Sequence, residues 1–143
     1  MKLYLMKLAV LQPGEMVPAY LIVTDDGKNV LIDSSFPESF IDNPPVLNKR
    51  LTIEMRKENY IVNKLAALGR QPADIDMVIC THFDIDHAGR HAAFGAAEFV
   101  VQRTHYDAAR DSREVRFVSG CGVNPRAPIV LLKATPSRRP ASS

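Results

Sequence analysis

Between residues 81 and 94 the chain reads THFDIDHAGRHAAF, placing His82, Asp84, Asp86 and His87 within six consecutive positions. Imidazole nitrogens and carboxylate oxygens suit Zn, Fe(II) or Mn(II), and no zinc-finger cysteine spacing accompanies them. Four such ligands on one short turn could serve two adjacent metals, which polarise an acyl or phosphoryl oxygen and supply hydroxide at neutral pH. Side chains diverge along an extended segment, whereas a following turn brings Asp86 and His87 together. Gly89 allows a tight exit from that turn. The plain alternative is that Asp and His are ordinary turn formers and helix caps. An H-x-D-x-D-H string alone does not choose between these readings.

The elements around the string favour a site. DMVIC reads as a short buried strand, so the string starts at a strand's carboxyl end, where α/β sheets build their sites. An earlier apolar strand in NVLIDSS ends at Asp33, and charge there needs solvent, a partner or a metal. For Asp33 alone, a solvated strand end and a site role stay equally open.

Upstream, KLYLMKLAVL, VPAYLIVTDD and KNVLIDSS, with a turn signal at Asp25-Asp26-Gly27, fit three adjacent strands. Residues 39–50, with Asn43-Pro44-Pro45, read as an irregular connection. Ile61, Leu65 and Leu68 recur at helical spacing, Gly69 caps that helix, and Pro72 stops it. Residues 89–95 read as a helical turn, AEFVVQ as a strand, and THYDAAR as a helix start with Thr104 as N-cap. His91 is expected on a solvent-facing helix position, and His105 at a helix start.

A length of 143 residues suits one domain, and 46% hydrophobic with 24% charged residues excludes disordered and fibrous classes for the whole chain. No run reaches the 18 apolar residues of a membrane span. Lys7 interrupts the N-terminal apolar stretch, no small-residue cleavage site follows, and the two cysteines form no disulfide scaffold, so a cytoplasmic location is expected. All 16 acidic residues precede position 115, whereas residues 115–143 carry five basic residues and four of the ten prolines. A dense nucleic-acid patch is absent, so a disordered end is favoured over a binding arm; neither a nucleic-acid nor a membrane partner is expected.

Three segments, AYLIVTDDGKNVLIDSSFP, NKLAALGRQPADIDMVICTHFDIDHAGRHAAF and AEFVVQRTHYDAA, occur in an order and spacing that resemble the N-terminal half of the metallo-β-lactamase superfamily. Similarity is greatest to its N-acyl homoserine lactonase branch and covers roughly residues 2 to 115. The resemblance implies an α/β (α+β) chain forming the N-terminal half of an αββα sandwich, truncated. It also implies a quorum-quenching hydrolase in which two ions, usually zinc, open a lactone or related ester with a metal-held hydroxide. Matched onto the family's HxHxDH motif, His82 resembles the first ligand of one metal and Asp84 stands where the second is a histidine. Asp86 and His87 resemble ligands of the other metal, Asp86 also being the catalytic carboxylate, and Asp33 matches the aspartate that supports the loop. A carboxylate at Asp84 shifts preference toward Mn or Fe and leaves bound water less acidic.

Family members take further ligands, two histidines and a bridging aspartate, from a second half that this sequence lacks. The expected division is a partial domain over residues 1–117 and a basic tail over residues 118–143. Loss of acids with enrichment in Pro, Arg and Ser would suit codons read in a displaced frame. Half a sandwich leaves one sheet face uncovered, so self-association is expected. Two alternatives to a lactonase remain: a thioesterase resembling glyoxalase II, and a non-catalytic remnant or interaction module.

Overall fold

The computed structural model describes residues 1–46, 52–111 and 129–132. Alternating apolar residues build two long strands, β1 (Lys2–Gln12) and β2 (Glu15–Val23), which pair antiparallel. Met6, Leu8, Val17, Ala19 and Leu21 turn to one face and are buried. The Asp25-Asp26-Gly27 signal makes the next turn, with Gly27 at φ +84° and its N–H donating to the Thr24 carbonyl at 3.0 Å. It leads into β3 (Asn29–Ile32), antiparallel to β2. Strand β4 (Thr52–Glu54) pairs with the outer edge of β1. It follows the expected irregular connection and escaped the sequence reading because three residues are too few to display a period. Residues 47–51 lie outside the described set.

Helix α1 (Ile61–Ala67) buries Ile61 and Leu65, and Gly69 follows it at φ +70°, the left-handed conformation that ends many helices. From there the chain alternates: β5 (Met77–Cys80), the single turn α2 (Ile85–Ala88), a 3-10 turn His91–Phe94, β6 (Glu98–Gln102), α3 (Arg103–Asp111) and β7 (Ile129–Leu132). Helix α3 already begins at Arg103, so Thr104 sits in its first turn and is not its N-cap. The strands form one mixed seven-stranded sheet in the order β4-β1-β2-β3-β5-β6-β7. β3, β5, β6 and β7 run parallel. The expected tail thus contributes a described strand at Ile129–Leu132, while its other residues, the expected disorder among them, lie outside the described set.

One sheet face shares a core with Phe36, Tyr60, Ile61, Leu65, Ile75 and Phe94. On the opposite face Leu3 lies across from Ile22, Leu5 from Tyr20, Tyr20 from Ile32, and Ile32 from Ile79. Leu3 and Leu5 are 62% and 58% exposed, so a row of apolar side chains meets solvent there. Among the described residues, no helix is long and apolar enough to cross a membrane.

The parallel pairing of β3 with β5 brings the loops after both strands to the same end of the sheet. They meet at Gly89, where an added Cβ would lie 2.6 Å from the Ile85 carbonyl, the Ser35 carbonyl and the Pro37 ring. Gly89 has φ −63°, an ordinary right-handed value, so glycine is needed there for space and not for conformational freedom. Two of the three neighbours are backbone and cannot rotate away. Gly89→Ala should therefore lower unfolding stability by ~1–3 kcal/mol or more, read from chemical denaturation. An unchanged denaturation midpoint would mean that the two loops have slack.

Candidate metal centre

Asp33 closes β3 and is 5% exposed. Its N–H still donates to the Ile79 carbonyl at 3.0 Å, extending the parallel ladder one step beyond the strand. The backbone then turns to φ +61°, a left-handed value that Asp tolerates better than most residues. Against β5, the Asp33 carboxylate accepts hydrogen bonds from the Thr81 N–H at 2.9 Å and the Thr81 hydroxyl at 2.7 Å. Its Oδ2 also lies 2.8 Å from Nδ1 of His87. The solvated strand end is thereby set aside: this carboxylate is satisfied by protein donors. Ser34 adds a second tie, donating its N–H to the His87 carbonyl at 2.7 Å and accepting the Arg90 N–H at 3.1 Å on its hydroxyl.

Two imidazoles are oriented by this arrangement. Because the Thr81 hydroxyl gives its proton to Asp33, it is left to accept from His82, whose Nδ1 lies 2.9 Å away. Nδ1 of His87 donates to Asp33. Both rings therefore carry a committed proton on Nδ1 and turn Nε2 outward, with centroids 3.8 Å apart. Nε2 of His87 lies 3.4 Å from Asp86 Oδ2. Hydrogen bonds to Asp33 and Asp86 push the His87 pKa up to about 10, so without a metal it is an imidazolium shared between two carboxylates. The same hydrogen bond from His87 holds the Asp86 carboxyl below the usual carboxylate range.

His82, Asp86 and His87 each offer one ligand atom within 4.8 Å of the others. Two imidazoles and one carboxylate match the protein donors of catalytic zinc sites, which keep a position open for water or substrate. A carboxylate behind one ligating histidine and a hydroxyl behind the other form the outer support such sites use to fix ring tautomer and orientation. Asp84 stands apart from this cluster. It immediately precedes α2, its carbonyl accepts the His87 and Ala88 N–H groups, and its side chain is 78% exposed, with Oδ2 3.5 Å from His82 Nε2. His82 thus stands between the two carboxylates, 3.5 Å from Asp84 at Nε2 and with a ring nitrogen within 4.8 Å of the Asp86 and His87 ligand atoms.

His91 is not solvent-facing. It is 0% exposed, packs edge-on to Phe99 at 5.5 Å, and neither ring nitrogen has a hydrogen-bond partner among the described residues. The 3-10 turn rotates it inward, where helical spacing from His87 would have kept it near the surface. His105 lies inside α3 and donates from Nδ1 to the Thr81 carbonyl at 3.1 Å, bracing the loop from outside. Thr81 is the site residue that sequence reasoning missed. A hydroxyl just after a buried strand and just before a ligand-type histidine was its only signal. Cys80 is buried, its thiol donating to the His82 carbonyl at 3.0 Å, and Cys121 lies outside the described residues.

The sequence profile of the metallo-β-lactamase superfamily matches residues 13–132. An N-acyl homoserine lactonase of a Bacillus species is 35% identical over 115 residues, covering 74% of this chain and 46% of that protein. The N-acyl homoserine lactonase AiiA of Bacillus thuringiensis subsp. kurstaki gives the same figures. The chain thus spans about half the length of these relatives. A crystal structure of a B. thuringiensis AiiA variant with N-decanoyl-L-homoserine at its active site superposes with a TM-score of 0.74 at 28% identity, over 92% of this chain and 59% of that one. The same values hold for an N-acyl homoserine lactone hydrolase with N-hexanoyl-L-homoserine at its catalytic metal centre.

The buried imidazole gives a pH dependence. Burial lowers the His91 pKa to about 4 from 6.5, partly opposed by the charge of Asp33, so the folded chain keeps this ring neutral where the unfolded chain protonates it. Its contribution to stability is complete above pH 6.5, falls as pH drops toward 4, and levels off below; the loss is of order 3 kcal/mol. His91→Leu should remove that slope and raise stability at neutral pH by about 1–3 kcal/mol, because an unpaired buried donor disappears. Denaturation of both proteins at pH 7 and pH 4.5 checks this; parallel losses would show that His91 is not the acid-sensitive group.

Proposed function

Since the chain belongs to the metallo-β-lactamase superfamily, we propose that it is a metal-dependent hydrolase that opens the ring of an N-acyl homoserine lactone or a related ester, and so acts in quorum quenching. The observation carrying this reading is the pair of histidines whose Nδ1 protons are held by Thr81 and Asp33, with Nε2 of His87 facing the Asp86 carboxylate and the ligand atoms of His82, Asp86 and His87 within 4.8 Å of one another. Such pre-orientation serves coordination; a surface turn or helix cap would not need it.

A divalent ion, zinc being the best match to the donors, would be held by His82, Asp86 and His87 and would supply Lewis acidity and a water-derived nucleophile at neutral pH. Everything else in the chemistry falls to the chain. Asp33 keeps the His87 proton on Nδ1, so that Nε2 is the nitrogen offered to a ligand once its second proton is displaced. Thr81 does the same for His82. Asp86, anionic at neutral pH beside His87, supplies a carboxylate that can bind the ion and accept a proton from the attacking water. Asp84, exposed beside His82, adds negative charge that favours harder ions such as Mn or Fe.

A thioesterase resembling glyoxalase II would use the same residues, and no observation favours it over the lactonase. Exposed Leu3 and Leu5 support self-association of the chain through its open sheet face, checked by light scattering with Leu5→Lys as the monomeric control.

Ring opening of N-hexanoyl homoserine lactone, followed by acid release in the presence of added Zn or Mn, tests the activity. Turnover is expected with the parent chain, and Asp86→Asn should lower it at least about a hundredfold. Asp33→Asn should weaken metal affinity by about 10–100-fold with little change in helix and strand content. Hydrolysis of thioesters without lactone opening would transfer the assignment to the second reading. Bound metal with neither activity would leave a binding remnant.

A further inference from the structure

We infer that Arg90 is a positioning residue: from outside the ligand-type cluster, its contact with Tyr60 fixes the turn that carries Asp86 and His87, and so sets how well those side chains meet a cation. The inference rests on the metal-dependent reading above and adds a residue to it.

Helix α2 needs such a fixture. It is a single turn of four residues, closed by bonds from the His87 and Ala88 N–H groups to the Asp84 carbonyl. One turn does not hold itself in water, because nucleating a helix costs more than a single turn returns. Its orientation therefore comes from contacts outside it. Asp33 holds the His87 ring; the backbone behind that ring is held separately. The His87 carbonyl accepts the Ser34 N–H at 2.7 Å and lies 3.4 Å from the Ser34 hydroxyl, which in turn accepts the Arg90 N–H at 3.1 Å. Ser34 is thus bonded on both sides of Gly89, and a shift of Arg90 is passed through it to His87.

The Arg90 side chain pins this segment to the rest of the fold. Its guanidinium carbon lies 5.7 Å from the centre of the Tyr60 ring, within range of a cation–π contact, and its Nε is buried, which strengthens such a contact. Tyr60 is a firm anchor: it is 4% exposed, and its carbonyl accepts the Lys64 N–H at 2.9 Å where α1 begins. The guanidinium also lies 3.7 Å from Glu38, whose side chain is mostly exposed, so this ion pair is the weaker tie. One side chain therefore joins the exit of the loop after β5 to α1 and to the 3-10 turn that begins at Glu38.

A purely electrostatic role would have the opposite sign. Arg90 is a cation three positions past His87, and its charge alone repels a divalent ion, so its loss would tighten binding. Positioning predicts that its loss weakens binding.

Two measurements on the purified 143-residue chain test this: Co²⁺ and Zn²⁺ titration, and, without metal, the NMR signal of the His87 Nδ1 proton held by Asp33. Arg90→Ala should weaken cation affinity about tenfold and speed exchange of that proton, with far-UV circular dichroism unchanged. Arg90→Lys, which keeps a charge able to sit over the Tyr60 ring, should recover most of the loss. Should Arg90→Ala not fold, Arg90→Met keeps the packed stem, removes only the guanidinium, and is expected to weaken binding likewise. Unchanged or tighter binding without the guanidinium, or an equal loss in Arg90→Lys, would overturn the inference and leave the metal-dependent reading standing. If the parent chain binds no cation, that reading falls; faster exchange of the His87 proton in Arg90→Ala then still supports positioning, and unchanged exchange removes it too.

Discussion

The Asp33 carboxylate is the constraint from which the site takes its form. Three donors converge on it, two from Thr81 and one from His87, and all cross from the β5 side to the end of β3. Removing a buried carboxylate's partners is costly, so the loop after β5 cannot leave without stranding a charge. The loop's backbone is consequently held against Ser34 and Ser35, Gly89 must stay small, and the imidazoles inherit their tautomers from the same network. Arg90 extends the clamp outward, lying 5.7 Å from the Tyr60 ring and 3.7 Å from Glu38.

Much of this was written plainly in the residues. The three opening strands, the helix with its Gly69 stop, the buried DMVIC strand and the AEFVVQ strand all follow from periodicity and turn chemistry, because burial on one face enforces both. The string of ligand-type residues was visible by residue type, and it does follow the end of a strand. Strand β4 was not visible, since it exists through pairing with β1 and not through a pattern of its own. Nor was the fate of His91: a three-residue-per-turn segment swings side chains differently from an α-helix, and nothing in HAGRHAAF announces which will form.

Separation of Asp84 from Asp86 illustrates a further limit. The two carboxylates are two positions apart and chemically identical, yet one precedes the first helical turn and faces solvent while the other lies within it and meets His87. Spacing alone grouped all four ligand types; the turn decided which three converge.

One consequence belongs to the ladder bond between the Asp33 N–H and the Ile79 carbonyl. Through it, the site is indexed to the register of β3 on β5. A slip of one residue in that pairing would invert every side chain of β3 and carry the carboxylate to the far side of the sheet. On the metal-dependent reading proposed above, cation binding at this loop would report correct strand alignment: a misregistered chain could keep its strands and its compactness and still be blind to metal.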